Sequence, residues 1–126
     1  MDEWDIRFHR DFKAEFRSLP RETKIEFGAC IDLLRRFGPA LGRPHVDGLK
    51  GSAHANMKEL RFMTGNDWWR FAFAFDPQQK AVVLCGGGKG GGSQQKFYRQ
   101  LAEKADRRFA EHLQDLAAGD AHEQDH

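Results

Sequence analysis

The stretch from Met57 to Lys89 constrains the fold most, because its pattern predicts three successive strands that end in a glycine-rich loop. Side chains of a strand alternate between its two faces. In the middle strand this alternation puts four aromatic side chains on one face: Trp69, Phe71, Phe73 and Phe75. The opposite face carries Trp68, Arg70, Ala72 and Ala74, so that one arginine stands beside small residues. The sequence therefore predicts an antiparallel sheet with an aromatic core on one side and a cationic surface on the other.

The preceding strand extends the cationic surface. If Leu60 and Phe62 join the aromatic core, Arg61 must emerge on the same face as Arg70. Guanidinium groups match phosphate oxygens in geometry as well as in charge. We therefore expect the two arginines to form a shallow cationic groove above a floor of alanines.

Apolar spacing predicts one strand and two helices before this sheet. Alternation from Trp4 to Phe8 indicates a first strand, and helical spacing indicates a short helix from about Asp11. A second helix is expected to begin near Pro20, since proline is tolerated in a first helical turn. Its predicted apolar stripe is centred on Ile25, Ala29, Leu33 and Phe37. Cys30 and Leu34 flank this stripe and Phe27 and Ile31 widen it, so the helix is expected to be buried on more than one side. The two helices are expected to form a hairpin over the aromatic face.

The remaining segments complete the predicted topology. Residues 40–55 lose periodicity and are predicted to form a connecting loop. Ser93 is a plausible N-cap for a third helix, whose apolar stripe is Phe97, Leu101, Ala105, Phe109 and Leu113. The predicted fold class is α+β in the order β-α-α-β-β-β-α. We expect a mainly antiparallel four-stranded sheet with a helical hairpin on one face.

Length and composition are typical of one self-sufficient domain. The chain has 126 residues, of which 40% are hydrophobic. We expect one domain at residues 1–116 and a flexible acidic tail at residues 117–126. The net charge of +1 says nothing about nucleic acid, although six Lys and Arg residues cluster between Lys89 and Arg108.

Cysteine usage and hydropathy predict the compartment. Cys30 and Cys85 lie in apolar runs without metal-ligand spacing, which predicts buried thiols in a reducing environment. The N-terminal segment lacks the apolar run of a signal peptide, and no run approaches the roughly 20 apolar residues of a membrane span. We therefore expect a cytoplasmic protein that does not contact a membrane.

Two familiar kinds of site are not supported. The loop at residues 86–92 follows a strand, but Lys89 is followed by glycines rather than by the Ser or Thr of a phosphate-binding P-loop. The six histidines give no convincing metal-ligand spacing. We expect no metal and no cofactor.

The remaining candidates suit metal-free cleavage of RNA. In that reaction the 2′-hydroxyl is the nucleophile, clustered cations stabilise the phosphorane, and a side chain transfers protons. The predicted catalytic residues are Lys58, Arg61, Arg70, Lys89 and Tyr98, and the predicted RNA-binding residues are Lys50, Lys96 and Arg99. Lys58 has the parity of the core residues and must reach the groove from the strand end. The alternative is that these are ordinary surface charges.

Four segments resemble the RelE/ParE superfamily of toxins, and within it the phage-derived HigB-type branch: GPALGRPHVDGLKGS at 38–52, MKELRF at 57–62, WRFAFAFDP at 69–77 and KFYRQL at 96–101. The resemblance implies a RelE-like toxin of a type II toxin–antitoxin module that cuts mRNA on the ribosome. It also implies a cognate helix-turn-helix antitoxin and a toxin–antitoxin hetero-oligomer. Arg61 and Arg70 match the arginines of that branch, whereas Lys58, Lys89 and Tyr98 match less closely.

Departures from that branch leave the activity open. Many active relatives carry a second basic residue where this chain has Gly90–Gly92. Some also place a histidine near the C-terminal helix, whereas this chain has none between His54 and His112. One alternative is a ParE-like toxin that poisons DNA gyrase. Another is a catalytically silent module that only binds an antitoxin.

Overall fold

The computed structural model describes the backbone of residues 3–124 and the side chains of residues 3–119. Its elements in chain order are β1 (Ile6–Phe8), α1 (Arg10–Phe16), α2 (Arg21–Phe37), a 3-10 turn (Gly38–Ala40), β2 (Val46–Gly48), β3 (Lys58–Thr64), β4 (Asp67–Phe75), β5 (Ala81–Gly88) and α3 (Gln94–Gln124). The predicted tail at 117–126 overlaps the end of α3, and residues 125–126 lie outside the described part.

The α+β class is confirmed, but the sheet has five strands rather than four. Their order is β1-β5-β4-β3-β2, with β1 parallel to β5 and the other pairs antiparallel. The extra strand, β2, lies in the segment predicted to be a loop, where Val46 pairs with Leu60. Three residues are too few to show a periodic pattern, so no strand was predicted there.

The helical hairpin covers the aromatic face as predicted. The rings of Phe12 and Phe27 lie 5.9 Å and 4.8 Å from that of Phe71, measured between centroids. The predicted centre of the apolar stripe of α2 was wrong, because Ile25 and Phe37 are exposed. The buried face comprises Thr23, Phe27, Cys30, Ile31 and Leu34.

Helix α3 covers the opposite face, so the expected open groove above the alanine floor was wrong. Ala72 and Ala74 are fully buried in one cluster with Leu101, Ala105 and Phe109. Alanines leave a shallow track that lets a helix approach the sheet closely, and the predicted stripe of α3 fills that track. Although α3 has 31 residues, neither it nor any other helix in the described residues is long and apolar enough to cross a membrane.

A bulge in β5 sets the faces of the glycines that follow it. Ala72 pairs with Cys85 and Phe73 with Val83, which leaves Leu84 unpaired. Beyond this bulge the alternation is reversed. Gly86 consequently faces the hairpin, where an added Cβ would collide with the ring of Phe71. Gly87 pairs with Arg70 and faces α3.

Polar contacts, some of them buried, hold α3 in place on the sheet. The guanidinium of Arg108 donates to both carboxylate oxygens of Glu15, at 2.8 Å and 2.6 Å, and to the carbonyl oxygen of Leu84 at 2.8 Å. Nearer the start of the helix, Asp106 accepts a hydrogen bond from the backbone N–H of Ala53 at 2.8 Å. These contacts tie the middle of α3 to β5, to α1 and to the segment after β2.

Candidate functional site

Arg61 and Arg70 form the centre of the site. They are direct cross-strand partners in β3 and β4, and directly opposed residues point to the same face. Their neighbours Phe62 and Phe71 lie in the aromatic core on the other side. The two guanidinium groups therefore leave the sheet together, in agreement with the alternation in the sequence.

Arg70 is not an open surface group. Only 7% of its surface is exposed, because the first turn of α3 lies across it. Its guanidinium carbon is 5.7 Å from the ring centre of Phe97 and 5.2 Å from that of Tyr98. Its Nε and Nη1 atoms lack a hydrogen-bond partner among the described residues. A buried cation with free donors is costly unless it receives an anion or water.

Glu59 is a buried carboxylate in the same site. It lies two residues before Arg61 on the same face of β3, and only 4% of its surface is exposed. The Tyr98 hydroxyl donates to its Oε1 at 3.2 Å, and Nη1 of Arg61 lies 3.9 Å from the same oxygen. Oε2 lacks a partner among the described side chains and backbone groups.

Burial raises the pKa of both Glu59 and Tyr98. Removal from water raises the pKa of the Glu59 carboxyl, against the lowering effects of the Tyr98 hydrogen bond and of the Arg61 and Arg70 charges. Burial, followed by the charge of Glu59, raises the pKa of the Tyr98 phenol. The site therefore combines a carboxylate of increased basicity with a hydroxyl that stays protonated at neutral pH.

An open groove gives access to these residues. Its volume is about 830 Å³, and it runs between β2, β3 and the first three turns of α3. Its lining includes four cationic residues, Arg43, Lys50, Arg61 and Arg99, and three acidic ones, Asp47, Glu59 and Glu103, of which Asp47 is paired with Arg43 at 2.9 Å. Glu59 and Tyr98 also line it, so the carboxylate, the hydroxyl and the Arg61 guanidinium face one space. Such a space suits a phosphodiester with a nearby hydroxyl.

The predicted site residues divide into two groups by position. Arg61, Tyr98, Lys50 and Arg99 line the groove, with Arg70 beneath Tyr98. The other three do not line it: Lys58 pairs with Phe73 on the hairpin side of the sheet, Lys96 is exposed on α3, and Lys89 follows β5.

Two residues without a predicted role lie at this site. Glu59 was treated only as part of a family motif, although its parity with Arg61 was visible in the sequence. Trp68 was assigned to the arginine face without a function. The guanidinium carbon of Arg61 lies 5.1 Å from its ring. Glu59 is recognisable as a site residue once its contact with Tyr98 of α3 is known. Trp68 is recognisable by its contact with Arg61.

The described residues contain one group that could hold a metal ion: His9, Asp11 and Glu111, whose ligand atoms lie within 4.8 Å of one another. Nδ1 of His9 already accepts the backbone N–H of Asp11 at 3.1 Å. Burial lowers the pKa of His9, which keeps its ring neutral. None of the three lines the groove, so this group does not contribute to the chemistry there.

Comparisons with known proteins cover the whole groove. The family model described as "Phage derived protein Gp49-like (DUF891)" matches residues 14–110. The chain is 46% identical over 101 residues to HigB2, a candidate toxin of Mycobacterium tuberculosis, covering 79% of the chain and 50% of the relative. It is 41% identical over 93 residues to the candidate toxin HigB3 of the same organism, covering 74% of the chain and 79% of the relative. The match thus spans about half the length of HigB2. No solved structure matches the chain.

Proposed function

Since the chain belongs to the Gp49-like family of phage-derived proteins and is similar to HigB toxins, we propose that it is the toxin of a type II toxin–antitoxin module and cleaves mRNA on the ribosome without a metal. One observation carries this proposal. A buried carboxylate of raised pKa, Glu59, lies beside the paired guanidiniums of Arg61 and Arg70 at an open cationic groove.

Each group at the groove suits one part of the reaction. Glu59 takes the proton from the 2′-hydroxyl, and the 2′-oxygen attacks phosphorus to form a 2′,3′-cyclic phosphate. The bond from phosphorus to the 5′-oxygen breaks, and that oxygen takes a proton from the Tyr98 hydroxyl. A raised carboxyl pKa favours this role, because a general base works best when its pKa is near the operating pH.

The two arginines have different roles in this scheme. Arg61, whose side chain is about one-third exposed, binds the phosphate from the groove. Arg70, its cross-strand partner, has two donor atoms without a partner among the described residues, which suits the charge that develops on the phosphorane. Fixed donors in a site shielded from water need no reorganisation when that charge appears.

The walls of the groove supply the remaining phosphate contacts. Lys50 and Arg99 line it from two different elements, the segment after β2 and α3. They bind the phosphates that flank the scissile one and make binding depend on salt. Lys58 and Lys96 lie outside the groove, and we assign them no catalytic role.

The proposed partner is a cognate helix-turn-helix antitoxin, bound in a hetero-oligomer in the cytoplasm. A cationic groove is best blocked by a segment of opposite charge. The antitoxin therefore neutralises the toxin by laying an acidic segment over Arg61 and Arg99. A complex with the groove open and the antitoxin elsewhere would contradict this mode of neutralisation.

A translation-coupled mRNA cleavage assay tests the function. Glu59→Gln and Arg61→Ala should each lose about 100-fold or more of the cleavage rate, whereas Arg36→Ala, which changes an exposed arginine of α2, should keep it. Circular dichroism checks that all three variants fold. Cleavage by both site variants at the wild-type rate would overturn the proposal. Growth arrest with intact mRNA and damaged DNA would instead identify a gyrase poison.

A further inference from the structure

Three successive rows of residues cross neighbouring strands on the face of the sheet against which α3 packs. The first row is Glu59, Ala72 and Cys85, and the second is Arg61, Arg70 and Gly87. The third is Met63 and Trp68, next to Lys89, whose backbone N–H donates to the Trp68 carbonyl at 3.4 Å. Successive rows are two residues apart along the strands, which corresponds to about 7 Å.

The third row differs from the others because α3 does not cover it. Trp68 is 38% exposed and Met63 is 49% exposed. Phe97 and Tyr98 lie over the second row at Arg70, and the helix continues from there towards the first row. The open end of the face therefore presents an indole and a thioether beside two buried or half-buried guanidiniums.

Trp68 is already in contact with the catalytic row. The guanidinium carbon of Arg61 lies 5.1 Å from its ring, within the range of a cation–π interaction. A phosphate on Arg61 would thus have an aromatic surface directly beside it. Nucleic acid is the ligand that presents a flat ring and an anion at neighbouring positions, and proteins bind unpaired bases by stacking them on aromatic side chains.

We propose, on the basis of the nuclease function above, that Trp68 with Met63 binds the nucleobase on the 3′ side of the scissile phosphate. The order of the rows gives the direction of the strand. The 2′-hydroxyl that Glu59 deprotonates belongs to the nucleotide on the 5′ side, and the phosphate lies on Arg61 and Arg70. The strand therefore continues towards the third row with its 3′ nucleotide, whose base stacks on the indole.

The proposed site at Trp68 binds a base, whereas the groove walls bind phosphates. Stacking is tolerant of sequence because every base has a π face, so Trp68 holds the position of the strand more than its identity. Lys89, beside Trp68, is placed to meet the following phosphate. The glycine-rich loop between β5 and α3 then also has a role. Because its glycines lack side chains, the loop leaves room for the RNA beside it.

The test uses ribosome complexes programmed with an mRNA that is either intact or abasic at the nucleotide on the 3′ side of the cleavage position. With wild-type protein, removal of that base should slow cleavage about 5- to 100-fold. Trp68→Ala should slow cleavage of the intact mRNA by a similar factor and should lose nothing further on the abasic mRNA. Trp68→Phe should keep most of the rate, and Phe37→Ala, which changes an exposed aromatic residue of α2, should behave as wild type.

Several outcomes would overturn the inference while leaving the nuclease intact. Trp68→Ala cleaving at the wild-type rate while Arg61→Ala does not would remove Trp68 from the site. If removal of the base slowed cleavage by Trp68→Ala as much as it slows cleavage by the wild-type protein, the base would bind elsewhere. Normal cleavage by Trp68→Ala with a loss of antitoxin affinity would make the patch a protein-binding surface. If Glu59→Gln and Arg61→Ala were also active, the proposed function itself would fail.

Discussion

The hydroxyl of Tyr98 donates a hydrogen bond to Oε1 of Glu59 at 3.2 Å, across 39 positions of sequence. This contact joins the N-terminal part of α3 to the beginning of β3. It orients the carboxylate so that its other oxygen, Oε2, remains without a partner among the described residues. The same ring lies 5.2 Å from the Arg70 guanidinium. One side chain of α3 thus positions the Glu59 carboxylate and covers the buried cation.

The rate of cleavage should depend on pH through Glu59. Because burial raises the pKa of this carboxyl, the group loses its proton at a higher pH than an ordinary glutamate does. The cleavage rate should therefore rise with pH, with the midpoint of the acid limb above the usual glutamate range. Single-turnover rates across a pH series measure it. A flat profile, or a midpoint at the ordinary glutamate value, would exclude Glu59 as the base.

Glu59→Gln should make the protein more stable at neutral pH even as it removes activity. The folded-state pKa of Glu59 is raised, so this group contributes stability below its unfolded pKa and loses that contribution as pH rises through the folded value. At neutral pH the buried charge is a cost that the amide avoids. Urea unfolding at two pH values should show the gain at pH 7 shrinking towards pH 4. Glu103→Gln, an exposed carboxylate at the groove, should show no such gain.

Tyr98→Phe should slow cleavage while leaving the fold and the aromatic contact with Arg70 intact. The substitution removes the proposed proton donor and the hydrogen bond to Glu59. We expect a loss of about 100-fold or more in kcat with little change in KM, because the hydroxyl acts in the chemical step. A purely structural tyrosine would instead raise KM or lower the melting temperature. An unchanged kcat would remove Tyr98 from the chemistry.

The parts of the fold that were predictable are those with a strict local pattern. The period-2 alternation of β4 placed Arg70 opposite the aromatic core, and the register with β3 bears this out. Ser93 caps α3, where its Oγ accepts the backbone N–H of Lys96 at 3.3 Å. The resemblance to the phage-derived HigB-type branch is confirmed by the family match over residues 14–110 and by two similar toxins.

The parts that were not predictable depend on packing between distant segments. Apolar residues nearly surround α2, so periodicity alone could not show that Phe27 rather than Ile25 faces the sheet. The hydrogen bond between the hydroxyls of Thr23 and Thr64, at 3.0 Å, helps to fix that rotation. Likewise, the burial of Arg70 follows from where α3 crosses β4, which no local pattern encodes.

Arg108 should be essential for stability rather than for chemistry, because it fixes the position of α3. It is buried, donates to both oxygens of Glu15 and to the carbonyl of Leu84, and lies outside the groove. Arg108→Ala should lower the free energy of unfolding by about 1–3 kcal/mol, because it leaves the buried Leu84 carbonyl without its donor, whereas the half-exposed Glu15 carboxylate is solvated by water. The neighbouring Arg107→Ala, at an exposed position, should change it by less than about 0.5 kcal/mol.

Hydrogen bonding to Arg108 lowers the pKa of Glu15, so this stabilisation is present above the unfolded pKa of Glu15 and is lost as pH falls through its folded value. Urea unfolding at neutral and acidic pH measures both effects, and equal stability of the two arginine variants would show that the contact does not hold the helix.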